Sequence, residues 1–504
     1  MLLKAGALSL VLLVASRLLG LARESAQAGA LGTSGLGDVV VLMLTLPDWL
    51  TGVLASGALA YVLIPYWSGQ PPAHHAGSQR RVAISLLAGG IVLGVLIWLA
   101  QDLAVQLLAP GIPPDLKSIA SVALTWSAVS LPLALLAALW VTRLQYERDF
   151  TGMYSANLVV NIVLVGALLA LSQNSARVGA AGAASAVAHV GAWLLVAMVL
   201  RLIWLGWRQH SQEPDATGGA DGISEVNIIK APPAPLPHAA IWLWAALSAG
   251  LPLVLPFVAR SMASQAGEGE LATFNYAWKL LELPLILGVQ LVASLSFPAI
   301  SRAFAGEGDP ASTVRQSFAL AWTLGCAAAA ALLLMAPALA QLLFGWGRMT
   351  PASLMRLSQW AAVGAWSLLP QSLIAVSLVV LATQGRMKPV VGAYAAGLAA
   401  LCLAAGWTGG DGARLMMVLN GVQVFVALAC LMAVGPVARR WLPWRGMLAP
   451  FVLLLVAAGI RAMVGAAAWT LGPLAGLAAA GAIGFLVVAA GWTASIDVRR
   501  ALSR

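Results

Sequence analysis

The chain has 504 residues, of which 61% are hydrophobic and 9% charged. Soluble domains carry about 45–50% apolar and about 25% charged residues, so most of this chain must face lipid, or other helices within lipid. The net charge of +10 follows the predicted membrane topology rather than a nucleic-acid-binding face. The longest polar stretch, about Arg208 to His238, is shorter than one βαβ unit. That excludes a soluble catalytic or nucleotide-binding domain.

In chain order, apolar runs broken by Pro, Gly and charges predict fourteen spans. They lie near 5–30, 37–66, 82–109, 117–143, 151–172, 178–207, 239–266, 270–301, 314–344, 352–383, 389–408, 414–437, 447–467 and 472–495. Each approaches the ~20 residues that cross a bilayer as a helix. Arg17 and Arg23 interrupt the first, so it is read as a retained helix rather than a signal peptide. The expectation is an all-α polytopic membrane protein with 14 transmembrane helices.

Eighteen lysines and arginines fall at ends and loops on the N-terminal side, Arg201 and Arg208 among them. Only Lys117, Arg177, Arg348 and Arg414 fall on the other. The positive-inside rule then places both termini in the cytoplasm. The polar stretch with its run Ala231-Pro232-Pro233-Ala234-Pro235-Leu236-Pro237 reads as a cytoplasmic linker. The chain divides accordingly into an N-terminal lobe (1–207, helices 1–6), the linker (208–238), a C-terminal lobe (239–437, helices 7–12), and helices 13–14 with a cytoplasmic tail (438–504).

The two six-helix lobes repeat. Adding 237 to a residue number maps Ala22-Arg23 onto Ala259-Arg260, Gly32 onto Gly269, Leu46-Pro47 onto Leu283-Pro284, and Asp38 onto Asn275. Spans one and seven point the same way, so the lobes are pseudo-symmetric about an axis along the membrane normal. Parallel repeats of this kind are a transporter architecture, with substrate held between halves near the midplane. A cleft lined by spans one, two, seven and eight is expected.

Six cations, Arg17, Arg23, Arg260, Lys279, Arg356 and Arg461, fall inside spans or at their edges. A charge at the bilayer centre costs about 2.5–3.5 kcal/mol on insertion scales, so the near-central ones must face water, partners or an anionic ligand. At about 1.5 Å per residue, Arg17, Asp48 and Lys279 lie roughly 14–18 Å from their span ends, near midplane. Ser16, Gly20, Arg23 and Gln27 follow i, i+4, i+7, i+11, a polar stripe with a glycine gap. Lys279 and Glu282 are neighbours on one helix face. The functional reading is a hydrated cationic cavity steadied by Glu24, Asp48 and Glu282, because guanidinium donors match phosphate oxygens. The structural alternative makes Arg17–Asp48, Arg23–Glu24 and Lys279–Glu282 simple ion pairs.

Other residues have local readings. Asp38 opens span two, where the helix dipole favours a carboxylate. Arg356 and Arg461 read as snorkelling ends. Pro47, Pro65, Pro284 and Pro298 are candidate kinks or hinges. Gly90 and Gly94 indicate close helix packing. Each of Cys326, Cys402 and Cys430 sits in an apolar run and reads as a buried free thiol. Neither the cysteines nor the five histidines show metal spacing. No P-loop sequence is present.

The stretch Ser16-Arg17-Leu18-Leu19-Gly20-Leu21-Ala22-Arg23-Glu24, followed by Gly35-Leu36-Gly37-Asp38, Leu46-Pro47-Asp48 and Gly57-Ala58 to Pro65, resembles the MurJ/MviN lipid II flippase family. Further matches are Trp278-Lys279-Leu280-Leu281-Glu282-Leu283-Pro284 to Phe297-Pro298-Ala299-Ile300-Ser301, Phe344-Gly345-Trp346-Gly347-Arg348-Met349-Thr350, and Arg386-Met387-Lys388-Pro389. The resemblance implies a non-enzymatic flippase of the multidrug/oligosaccharidyl-lipid/polysaccharide superfamily. It would move lipid II across the bacterial inner membrane by alternating access, its cationic cavity holding the diphosphate. Arg17, Arg23, Asp38, Lys279 and Glu282 match functional positions of that family. Lys279 stands where the family usually has arginine, Asp48 where it has asparagine, Thr51-Gly52 where it has two arginines, and Ser56 where it has glutamate.

These departures fit a divergent lipid II flippase or a paralogue for another polyprenyl-diphosphate-linked saccharide of exopolysaccharide or O-antigen assembly. A cation-coupled drug exporter would favour carboxylates over this cationic set, and a non-transporting scaffold would leave Arg17 and Arg23 without a ligand. No cofactor is expected. Spans eleven and twelve carry no carboxylate for the sodium site of some family members. The expected partners are the lipid-linked saccharide, the bilayer, and proteins of cell-wall or polysaccharide synthesis, not nucleic acid.

Overall fold

A computed structural model describes residues 2–174, 182–211, 235–435, 438–465 and 471–502. Most of the expected linker, 212–234, and Arg177 lie outside the described residues. The described residues form helices and short connections, with no strand among them.

Among the described residues, twelve helices are long and apolar enough to cross a membrane, and two more stand at the first and eleventh predicted spans. We number the fourteen α1 (Leu2–Leu31), α2 (Gly35–Val53 and Leu59–Ser68, joined by a π turn), α3 (His75–Leu99), α4 (Lys117–Tyr146), α5 (Phe150–Gln173), α6 (Ala183–His210) and α7 (Ala239–Ala263). There follow α8 (Glu270–Phe304), α9 (Pro310–Phe344), α10 (Pro351–Thr383), α11 (Lys388–Ala405), α12 (Gly412–Val434), α13 (Trp444–Val464) and α14 (Pro473–Ala494).

One span differs from expectation. The run 82–109 is two helices: α3 starts at His75 and stops at Leu99, and Gln101–Leu108 is separate. The polar pair Gln101-Asp102 explains the break. Its side chains accept hydrogen bonds from α4, Ser121 Oγ to Asp102 Oδ1 at 2.9 Å and Thr125 Oγ1 to Gln101 Oε1 at 3.3 Å.

Helix starts follow capping chemistry. The Asp149, Thr350 and Asp411 side chains accept from the first free N–H groups of α5, α10 and α12, and Asp309 does so for α9. Pro310 and Pro351 then occupy the first helical turn, where no N–H is needed.

The chain forms two compact units, one of Met1–Ala30 with Gly35–Leu253 and one of Leu31–Ser34 with Val254–Arg504. The division falls within α7, between Pro252 and Pro256, each of which withholds a backbone donor from the helix. In the first unit, Gly90 and Gly94 of α3 let α4 approach: a Cβ at either would stand 2.8 Å from Pro132 Cα or from the Ala128 carbonyl. In the second, α9 is central, with 72% of its apolar window buried, whereas α14 is peripheral at 17%. Gly32 and Gly269, equivalent under the 237-residue offset, both adopt positive φ, 65° and 80°. The repeat therefore extends to a backbone conformation that only glycine adopts without strain.

Prolines inside these helices leave carbonyls without their usual donors, and neighbouring helices supply replacements. Pro47 frees the Met43 carbonyl, which accepts Ser127 Oγ of α4 at 2.6 Å. Pro337 frees that of Leu333, which accepts Arg461 Nη1 of α13 at 2.6 Å. Arg461 is thus no snorkelling end, as the sequence suggested, but a donor to a broken helix ladder. Arg461→Ala is expected to cost about 1.5–3 kcal/mol, the range for a charged hydrogen bond. Pro337→Ala restores the N–H, so in that background the Arg461 effect should largely vanish. A double-mutant cycle by denaturant unfolding in detergent checks this; simple additivity would show that the two residues do not share the carbonyl.

Candidate functional site

The polar stripe of α1 is buried in the first unit. Ser16, Arg23 and Gln27 are covered, and Gly20 passes close to α5, where its missing Cβ would lie 3.8 Å from Asn161 Nδ2. Arg23, only 8% exposed, turns Nη2 to two carboxylates: Glu24 Oε1 at 2.9 Å and Asp48 Oδ2 of α2 at 2.8 Å. A guanidinium suits this task because its planar fork serves two acceptors at once.

The structural alternative had paired Asp48 with Arg17; its partner is Arg23. Six residues on a helix turn through about 600°, which puts Arg17 and Arg23 on different faces. Arg17 is exposed, makes no ion pair among the described residues, and lies within electrostatic reach of the Tyr154 phenol on α5. Asp38 is 1% exposed in the first turn of α2.

One cation escaped the sequence reading. Arg201, counted there with the charges of the cytoplasmic side, lies within α6 at 5% exposure. It shares the buried face of Leu194, Met198 and Leu205. That i, i+4, i+7, i+11 register was the available signal, since a snorkelling residue need not fall on a buried stripe. Nearer the helix end, Arg208 is structural. It grips Asp149, Nη2 to Oδ1 at 2.8 Å and Nε to Oδ2 at 3.0 Å, while Asp149 caps α5.

The second unit carries two polar pairs on one stripe of α8. Asn275, Lys279 and Glu282 follow i, i+4, i+7. Arg260 of α7 donates from Nη1 to Asn275 Oδ1 at 2.6 Å, with its guanidinium 5.4 Å from the Phe257 ring centre. Lys279 Nζ meets Glu282 Oε2 at 2.7 Å, both side chains between a quarter and a third exposed. Arg356, its side chain 52% exposed, pairs with Glu270 at the start of α8. Among the described residues no group of three His, Cys, Asp or Glu is placed to hold a metal ion. Cys326 and Cys430 are buried as expected, but Cys402 is exposed on α11.

The kink prolines occur in matched settings. Pro47 and Pro65 flank a π turn, Leu54–Ala58, and Pro284 precedes another, Leu285–Gln290, in the helix that also holds Pro298. A missing donor and a widened turn both loosen the backbone ladder, so the second helix of each repeat has a point of reduced stiffness.

Chemically, the arrangement offers charge-assisted hydrogen bonds to an anion. A family model described as "Lipid II flippase MurJ" matches residues 27–391. Among curated relatives, a "Probable lipid II flippase MurJ" of Rhizobium meliloti (strain 1021) is 26% identical over 357 residues, covering 67% of this chain and 62% of the relative. One of the same description from Rhizobium tropici is 24% identical over 303 residues, covering 57% and 52%. The chain thus spans less than two thirds of the length of these relatives. Among solved structures, a lipid II flippase MurJ in an inward closed conformation superposes with a TM-score of 0.75 at 14% identity, covering 99% of this chain and 100% of that one. An inward-facing multidrug resistance MATE transporter of the MOP superfamily gives 0.63 at 14% identity, over 83% and 93%. At such identities the structural matches speak for the fold.

Proposed function

Because the chain belongs to the lipid II flippase MurJ family, we propose that it carries lipid II, a polyprenyl-diphosphate-linked saccharide, from the inner to the outer leaflet of the bacterial cytoplasmic membrane. It works by alternating access, without covalent chemistry or a bound cofactor, and draws on the membrane potential or an ion gradient. Both termini lie in the cytoplasm, as the distribution of Lys and Arg requires.

The observation that carries this reading is Arg23. A guanidinium held deep in the first unit by two carboxylates is preorganised, and a diphosphate can take over the hydrogen bonds that Asp48 now accepts. Preorganisation spares the ligand the cost of ordering a long side chain. Arg260, at the equivalent position of the repeat, rests on a neutral amide, so its charge is not cancelled by that contact. The relatives named as lipid II flippases support lipid II over other saccharides on the same lipid.

Arg23→Ala and Arg260→Ala are each expected to weaken binding of a polyprenyl diphosphate by roughly ten- to hundredfold, the loss of about 1.5–3 kcal/mol for a charged contact. Purified protein titrated with the lipid diphosphate, and with the corresponding monophosphate as control, measures this. Unchanged binding in both variants would contradict the diphosphate assignment.

A further inference from the structure

Arg201 has no assigned task, and its surroundings are unusual for an arginine. It is 5% exposed, its Nε is covered, and it makes no hydrogen bond or ion pair with any described residue. Asp48, already engaged by Arg23 at 2.8 Å, stands on α2, which packs against the α6 that carries Arg201. A covered Nε with no protein acceptor is unfavourable unless something else supplies one. Position suggests what. Counted along their helices from the ends predicted to face outward, Arg23, Asp48 and Arg201 lie roughly 12, 20 and 27 Å deep. They form a ladder of cation, carboxylate and cation, with steps of about one arginine side chain.

We infer that Arg201 is a further substrate-binding residue, the cation that takes phosphate oxygens of the lipid-linked diphosphate on the cytoplasmic side of Arg23. The inference rests on the flippase reading above. Asp48 holds the two guanidinium groups apart and competes with the anion for both. When the diphosphate enters, Arg201 donates to its oxygens, and the anion then advances one step to Arg23.

The rival explanation is that Arg201 only neutralises Asp48. Binding of farnesyl diphosphate and farnesyl monophosphate to the full chain in detergent separates the two, with thermal unfolding recorded beside it. Arg201→Gln is expected to weaken diphosphate binding at least tenfold without lowering the unfolding temperature, because no protein hydrogen bond is lost. Asp48→Asn should strengthen binding, and the double variant Arg201→Gln, Asp48→Asn should bind at least tenfold more weakly than Asp48→Asn alone. Unchanged binding in Arg201→Gln overturns the inference, and so does a double variant that binds as tightly as Asp48→Asn alone. If Arg201→Gln does not fold, Arg201→Lys gives the answer: several-fold weaker binding supports a hydrogen-bonding guanidinium, and unchanged binding overturns it. The flippase reading fails separately, if the wild-type chain does not prefer the diphosphate or if Arg23→Gln binds it as well as wild type.

Discussion

Arg23→Ala is expected to lower stability by about 3–5 kcal/mol and to abolish translocation. The stability loss follows from the burial of Glu24, which shares this guanidinium with the more exposed Asp48; removing the partner of a buried carboxylate strands its charge in a poor solvent. The two effects can be separated. The triple variant Arg23→Gln, Glu24→Gln, Asp48→Asn removes the whole charge group and should regain most of the lost stability, as replacing a buried ion pair outright often does. It should still fail to move substrate. Unfolding in detergent reads the first effect and a proteoliposome assay the second. A triple variant that transports at the wild-type rate would make the cluster purely structural.

The second large effect is expected at Lys279 and Glu282. Their 2.7 Å contact is an i, i+3 pair, which in water is worth only about 0.2–0.5 kcal/mol. If local pairing were its whole purpose, losing it would be tolerated. Lys279→Gln and Glu282→Gln are instead expected to stop translocation while the protein remains folded in the membrane. In this account Lys279 reaches the ligand and Glu282 aims it. The double swap Lys279→Glu, Glu282→Lys rebuilds a local ion pair but moves the ammonium one turn along α8 and puts a carboxylate in its place. It should fold and fail. Full activity in the swap, measured beside a folding control, would assign the pair to structure alone.

Most of the architecture was legible because it rests on composition and period. Each span is a long apolar run, and bilayer thickness fixes how long such a run must be. The repeat was legible from Arg, Gly and Pro sharing one offset, and the matched positive φ of Gly32 and Gly269 shows why those glycines belong to it. Partners were harder to read. That Arg23 rather than Arg17 meets Asp48 depends on how α1 is rotated against α2. The contacts of Arg356 with Glu270 and of Arg461 with the Leu333 carbonyl join residues 86 and 128 positions apart. Hydropathy carries no such information.

Arg201 shows a different failure. A basic residue within ten positions of a helix end is ordinarily a topological marker, and the positive-inside count absorbed it. Its buried register was visible, but only beside the packing of α6 does that register outweigh the snorkelling explanation. The break in α3 was missed because one polar pair, Gln101-Asp102, is a small interruption in a long apolar run. It becomes a helix boundary only because Ser121 and Thr125 supply partners.

The most direct test of the proposed function is translocation itself. Purified protein is reconstituted into vesicles holding lipid II in one leaflet, and the saccharide reaching the opposite leaflet is followed with a membrane-impermeant probe. Movement well above protein-free vesicles is expected for the wild type, and background rates for the Arg23, Glu24, Asp48 triple variant. Background rates for the wild type, in folded protein with either a membrane potential or an ion gradient imposed, would contradict the account.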